Sequence, residues 1–436
     1  MIRNYIFTVI RVVVVVLYAA LIAAILLDFQ IGFALSDFVS ATKGESIPNF
    51  DKLLPEMRLI LEDLSRQNFF RYFRVDTSRE CPFQVSDALC TSKVNCQLTC
   101  ECPLDKLPKT WLQEDLKQKE NLAFSPIKLY DVMKPHYNGV DPWSFDLVNE
   151  NTIYVDLLTD KEQFTGYQGQ KIWGMIYDEN CMSLSRSCGG ENFLFKVISG
   201  MHASVSSHLS EYFVDFSRSE DNIRPNDLLY YQKVGAYPER LENLAFAVQT
   251  LVRAYVRYID LIDLFAVDTG DFGEDMKTKQ LLQKLSDLLR HVKDVAFRQE
   301  GVFGQKVAIS VQKDAYLQYF RNITQVMDCV DCVKCKVYGK MQVLGIGVAL
   351  RIMLKESGVS LTRNELVAFI NTLNKWTESL EIIERMKDRL WRKKIWFSIG
   401  VSALFGVLLI LVSWFSTKVA EVANTKPAKP HKIKAD

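Results

Sequence analysis

The sequence lacks a charge excess of either sign: 53 lysines and arginines against 52 aspartates and glutamates leave a net +1. Without a basic surplus there is no electrostatic footprint for nucleic acid. The short motifs of the commoner chemistries are missing as well. There is no H-E-x-x-H, no G-x-S-x-G and no P-loop. Gly345-Ile346-Gly347 lacks the third glycine of a dinucleotide loop and sits in a helix-period run rather than after a strand. Its small residues allow either something flat or a neighbouring helix to come close. His202 and His208 share a helical segment but lie six apart, too far round the helix for one metal. No internal repeat and no β-α alternation is visible. Any cofactor must therefore be held by a helical bundle of another kind.

What the sequence does have is cysteine in one telling place. Ten cysteines in 436 residues is an even count at modest density. That suits an oxidising compartment without making the chain a disulfide miniprotein. Cys329, Cys332 and Cys335 stand three residues apart, and an apolar run at helical spacing follows: Tyr338, Met341, Leu344, Gly345, Val348, Ala349, Met353. The pattern predicts cysteines at the start of a buried helix, where the positive end of the helix dipole favours a thiolate. Lys334 and Lys336 push the same way. A metal site would need a fourth ligand. An iron–sulfur run would place Cys-Pro where Gly339 stands. A structural disulfide and an electron-exchanging Cys332–Cys335 pair remain, and the placement favours the pair.

Two apolar stretches flank a body long enough for one large or two ordinary domains. Residues 1–30 read as a signal peptide or signal anchor, with Arg3 and Arg11 ahead of the apolar centre. Residues 395–415 read as a transmembrane helix with Trp396 and Trp414 near its ends. Basic residues flank that segment on both sides, so charge alone does not orient it. The cysteines ask for an oxidising lumen. Lys432 and Lys434 near the terminus resemble a cytosolic dilysine retrieval signal, which makes 416–436 a cytosolic tail and puts the chain in the endoplasmic reticulum membrane. Asn322-Ile323-Thr324 is the one acceptor sequon and predicts a glycoprotein.

Between the flanks, residues 51–73 predict an amphipathic helix. Residues 81–102 form a polar loop holding Cys81, Cys90, Cys96, Cys100 and Cys102. Residues 103–150 read as irregular, with Pro126, Pro135 and Pro142 breaking any long helix. From Ile153 helices dominate: Phe193–Tyr212, Arg240–Phe265, Lys277–Glu300 and Lys313–Val326, with a loop at Asp271–Glu274. The expected fold is mainly α, a single helical bundle over residues 48–378.

Four ordered motifs resemble the endoplasmic reticulum oxidoreductins: Phe70-Arg71-Tyr72-Phe73 with Cys81-Pro82-Phe83; Phe164-Thr165-Gly166-Tyr167 through Ile176 to Cys181; Ile198 to Ser204; and Met327–Lys340 with Gly345–Leu350. The resemblance implies a lumenal domain holding flavin adenine dinucleotide (FAD). It implies that Cys332 and Cys335 are the pair beside the flavin, Cys335 the nearer. It makes Cys81–Cys329 and Cys181–Cys188 structural disulfides. It assigns Thr165, Trp173, Ser199, His202, Arg240 and Arg253 to the flavin, the two arginines to its pyrophosphate, and no metal. Gln163 stands where the family usually has arginine, and three residues appear missing between Gly169 and Trp173. The family's shuttle pair is usually C-x4-C; here Cys90 and Cys96 are C-x5-C, and Cys100–Cys102 is the rival. The implied activity oxidises protein disulfide isomerase through that shuttle, with oxygen reduced to hydrogen peroxide. The alternative is a membrane-anchored, disulfide-rich adaptor that binds isomerases without catalysis.

Overall fold

The computed structural model describes residues 15, 18, 19, 47, 50–83, 104, 107–123, 148–160, 170–178, 193–213, 223–292, 320–330, 332–354 and 359–424. Among the predicted site residues, Cys90, Cys96, Cys181, Cys188 and Thr165 lie outside them, as do Cys100, Cys102, most of 1–30 and the last twelve residues.

The body, Asp37–Glu384, is one compact unit. Helix α1 (Phe50–Arg66) turns Met57, Ile60, Leu61 and Leu64 inward, as its stripe predicts. A short α2 (Asn68–Arg71) buries Phe69 and Phe70. The chain then enters β1 (Tyr72–Asp76), which pairs antiparallel with β2 (Thr152–Asp156), Tyr72 opposite Asp156 and Val75 opposite Ile153. Both strands carry the aromatic and β-branched residues that fit a pleated surface. The Asn364 side chain acts as a third strand: its Oδ1 accepts from the Arg74 amide at 2.8 Å and its Nδ2 donates to the Arg74 carbonyl at 3.0 Å.

Helix α3 (Lys109–Ala123) stands in the stretch read as irregular. It is a polar helix fixed by single contacts. Trp111 Nε1 donates to the Asp268 carbonyl at 2.7 Å, and Asp115 takes the Arg74 guanidinium and the Tyr154 hydroxyl. Helix α4 (Gln170–Asp178) follows β2 in sequence.

The core is a bundle of long helices. Helices α5 (Phe193–Glu211) and α6 (Asp227–Tyr230) are followed by a π turn (Tyr231–Gly235) and α7 (Pro238–Asp263), with Pro238 in the first turn where its missing N–H costs nothing. Helix α8 (Phe272–Arg290) starts within the segment read as a loop. Asp271 caps it, Oδ1 accepting from the Gly273 and Glu274 amides. It packs on α1 and α7. Residues 320–326 are helical and carry the sequon, with Asn322 half-buried. A 3-10 turn (Met327–Cys329) leads to α9 (Val333–Leu354). The last helix, α10 (Arg363–Asn424), opens with a reciprocal cap. Thr362 Oγ1 accepts from the Glu365 amide, and Glu365 Oε2 accepts from the Thr362 amide.

Helices α5, α7, α9 and the first part of α10 close a ring. Gly200 of α5 faces α7, where a Cβ would meet the Asn243 carbonyl oxygen at 2.6 Å. Helix α7 packs on α9. Trp376 Nε1 of α10 donates to Gln342 Oε1 of α9 at 3.0 Å. Ser204 of α5 meets Ser379 of α10 at 2.6 Å. Gly345 resolves the choice its sequence left open: a Cβ there would meet Thr372 Oγ1 at 2.3 Å and the Ala368 carbonyl oxygen at 2.8 Å. What comes close to Gly345 is a helix, not a flat ligand.

The second unit comprises Met1–Ser36 and Arg385–Asp436. Among the described residues one helix, α10, is long and apolar enough to cross a membrane, and its apolar window is not buried. Trp396, Trp414 and Phe415 are exposed there. Tyr18 stacks on Phe405 at 4.2 Å, so the first apolar stretch touches the last.

Candidate functional site

Cys332 and Cys335 are joined by a disulfide, Cα atoms 5.1 Å apart, and both are fully buried. Cys332 stands just before α9 and Cys335 is its third residue. The Cys335 amide, one of the orphan donors of a first helical turn, donates to Cys332 Sγ at 3.3 Å. Both cysteines thus stand at the start of a buried helix, as the sequence predicts. A second disulfide joins Cys81 to Cys329, Cα atoms 4.4 Å apart across a sequence separation of 248. It fastens Cys81 three residues ahead of Cys332.

The lysines act differently from what the sequence suggests. Lys336 Nζ donates to the Thr77 carbonyl at 3.4 Å and Lys340 Nζ to the Asp76 carbonyl at 2.7 Å, so both hold the end of β1 on α9. Lys340 also pairs with Asp328. Burial pushes the Asp328 carboxyl up and the Lys340 ammonium down, each partly offset by the other's charge. Lys334 is buried 3.5 Å from Asp160 Oδ1, so a carboxylate balances its charge.

The second cluster lies on α4, α5 and α7. The Trp173 and His202 rings stack at 3.8 Å, 10° from parallel. Tyr177 Oη lies 3.1 Å from His202 Nδ1. Burial, then Arg240 and Lys233, hold the His202 imidazolium far below the ordinary range, so the ring is neutral. A neutral ring that accepts from Tyr177 at Nδ1 carries its proton on Nε2, which is then a donor. Burial raises the Tyr177 phenol to about 12 against the opposing pull of Arg240 and Ser199. Ser199 Oγ accepts from Asn243 Nδ2 at 3.1 Å. Arg240 lies over the Tyr237 ring at 4.0 Å and donates to the Lys233 carbonyl at 2.8 Å.

Of the predicted flavin residues, Trp173, Ser199, His202 and Arg240 come together. Arg253 lies thirteen residues beyond Arg240 on α7, about 20 Å along the axis. Tyr177 and Asn243 were missed, although Tyr177 is four residues from Trp173 and Asn243 three from Arg240, each one helical face. The set offers aromatic surface, hydroxyls, a neutral imidazole donor and cations. That chemistry fits a planar ring carrying phosphates.

Fold and site together define a helical-bundle thiol–disulfide protein, its buried cysteine pair at a helix start and a nucleotide-type residue cluster on neighbouring helices. The family model described as Endoplasmic Reticulum Oxidoreductin 1 (ERO1) matches residues 56–383, and the chain belongs to that family. The Arabidopsis thaliana protein named Endoplasmic reticulum oxidoreductin-1 is 32% identical over 367 residues, 76% of either chain. The Homo sapiens ERO1-like protein alpha is 28% identical, over 79% of this chain and 88% of that one. Among solved structures, "Structure of Ero1p, Source of Disulfide Bonds for Oxidative Protein Folding in the Cell" covers 79% of this chain and 97% of its own, with a TM-score of 0.55 at 24% identity. That likeness carries the mainly helical fold.

Proposed function

We propose that this chain is a flavin-dependent thiol oxidase that makes disulfides in the lumen of the endoplasmic reticulum, taking electrons from protein disulfide isomerase-type proteins. The observation that carries the reading is the buried Cys332–Cys335 bond at a helix start in a chain of the ERO1 family. The relatives' names support the compartment.

The residues present divide the work. A reduced partner opens the loop disulfide, Cys90–Cys96. A loop thiolate then attacks the Cys332–Cys335 bond, which breaks as a mixed disulfide forms. The second loop thiol closes the loop again and leaves the pair as a dithiol. Cys90 lies nine residues beyond Cys81, a reach of up to about 30 Å, and Cys81 is bonded three residues ahead of Cys332. The tether thus makes the exchange intramolecular. FAD, when bound, supplies two-electron acceptance from the pair and its passage to oxygen, giving hydrogen peroxide. Trp173 and His202 offer it aromatic surface, Ser199 and His202 Nε2 polar contacts, Arg240 and Arg253 cations for its phosphates, and Thr165 a further contact. Residues 395–415 anchor the chain, 1–30 delivers or anchors the body, 416–436 faces the cytosol, and Asn322 carries the glycan.

The test is absorbance and oxygen uptake of the purified chain in detergent. Flavin bands, and uptake that depends on reduced isomerase, are expected. A colourless protein that stays colourless after refolding with FAD would sink the reading.

A further inference from the structure

Resting on that oxidase reading, we propose that Asp160 and Lys334 form a charge-balanced pair that sets the reduction potential of Cys332–Cys335, which makes both positioning residues for the relay.

Lys334 lies between the two cysteines in sequence, in the first turn of α9. Its Nζ is 3.5 Å from Asp160 Oδ1; Asp160 is 0% exposed and Lys334 3%. Asp160 is held there by backbone. Its amide donates to the Asp156 carbonyl at 2.9 Å, and Tyr338 Oη donates to the Leu157 carbonyl at 2.7 Å. Lys334 and Tyr338 are four residues apart on one face of α9, and that face meets residues 157–160.

Water screens such a site less than it screens the surface, so a charge there reaches further. Reduction of the pair by an incoming dithiol breaks one S–S bond and forms another; two electrons move, and the two protons pass from one dithiol to the other. Wherever the reduced pair holds a thiolate it is more negative than the disulfide. A lysine alone would favour the reduced form, and an aspartate alone would oppose it. Paired, they leave the couple between these limits, able to receive electrons and still pass them on.

The test uses the full-length holoprotein, equilibrated anaerobically with reduced and oxidised dithiothreitol, quenched, and read by mass spectrometry of the Cys332–Cys335 peptide. Asp160→Asn should shift the equilibrium about tenfold towards the dithiol, about 30 mV more oxidising. Lys334→Gln should shift it about tenfold the other way. The double variant should return to within about twofold of wild type, and Lys334→Arg should match wild type. Lys334→Arg and Asp160→Asn keep the test readable should Lys334→Gln fail to fold. An unchanged potential in the single variants, or shifts of one sign, would overturn the proposal even if all lost thermal stability. The small dithiol reaches the buried pair by way of the loop thiols, so if the wild-type pair never exchanges with the buffer it is the oxidase reading that fails.

Discussion

The backbone amide of Cys335 donates to the Sγ of Cys332 across 3.3 Å, inside a protein interior that exposes neither residue. An amide at a helix start stabilises negative charge on what it touches. Both Cys332→Ala and Cys335→Ala should lose oxygen uptake to background while keeping the flavin.

The Cys81–Cys329 bond should contribute both stability and reach. Cross-links that close long loops constrain the unfolded chain, and removing one costs about 2–5 kcal/mol. Cys81→Ser should lower the thermal midpoint. It should also slow electron transfer from the reduced loop to Cys332–Cys335 more than it slows reduction of the loop by the isomerase, measured by stopped-flow with quench and alkylation.

Gly345→Ala should wedge α9 from α10, since its methyl group would meet Thr372 Oγ1 and the Ala368 carbonyl oxygen. Overpacking of this kind costs about 1–3 kcal/mol. Thr372→Ala on the same background should recover part of the loss in urea unfolding, because it removes the nearer of the two obstacles.

Asp76 gives the body an acid edge. Burial alone would raise its carboxyl, but hydrogen bonds from Ser78 and Asn149 and the charge of Arg79 outweigh it and hold the group at about 2, against 3.8 unperturbed. A depressed pKa contributes stability that is complete above about 3.8 and is lost as pH falls through about 2. Asp76→Asn should flatten the stability profile in that window, read by urea titrations between pH 4.5 and about 2.

Truncation after Glu384 should leave the compact body Asp37–Glu384 without the exposed apolar part of α10. Expressed behind a cleavable signal, it should appear in the soluble lumenal fraction, whereas the full chain should need detergent.

Much of the fold was legible because each clue was local. The stripe of α1 and the runs of α5 and α7 are each written within a few residues of one another. The cysteines at the start of α9 belong to the same class. What was not legible is what depends on distant partners. β1 and β2 are five residues each, and the tie from Arg71, just ahead of β1, to Asp156 spans 85 residues, so neither strand announces itself. Helix α3 has little apolar stripe and is held by Trp111 and Asp115 individually. Lys334 looked like a free cation until Asp160 arrived from another part of the chain, and Gly345 could not name its neighbour.

The complete enclosure of Cys332 and Cys335 has a last consequence. A cell compartment full of small thiols could drain such a couple at random, as a bare wire drains to earth. Here no sulfur of the pair meets the solvent, so a wandering tripeptide finds nothing to attack. Under the proposed oxidase reading, electrons would enter through a protein contact and not from the small thiols of the bulk.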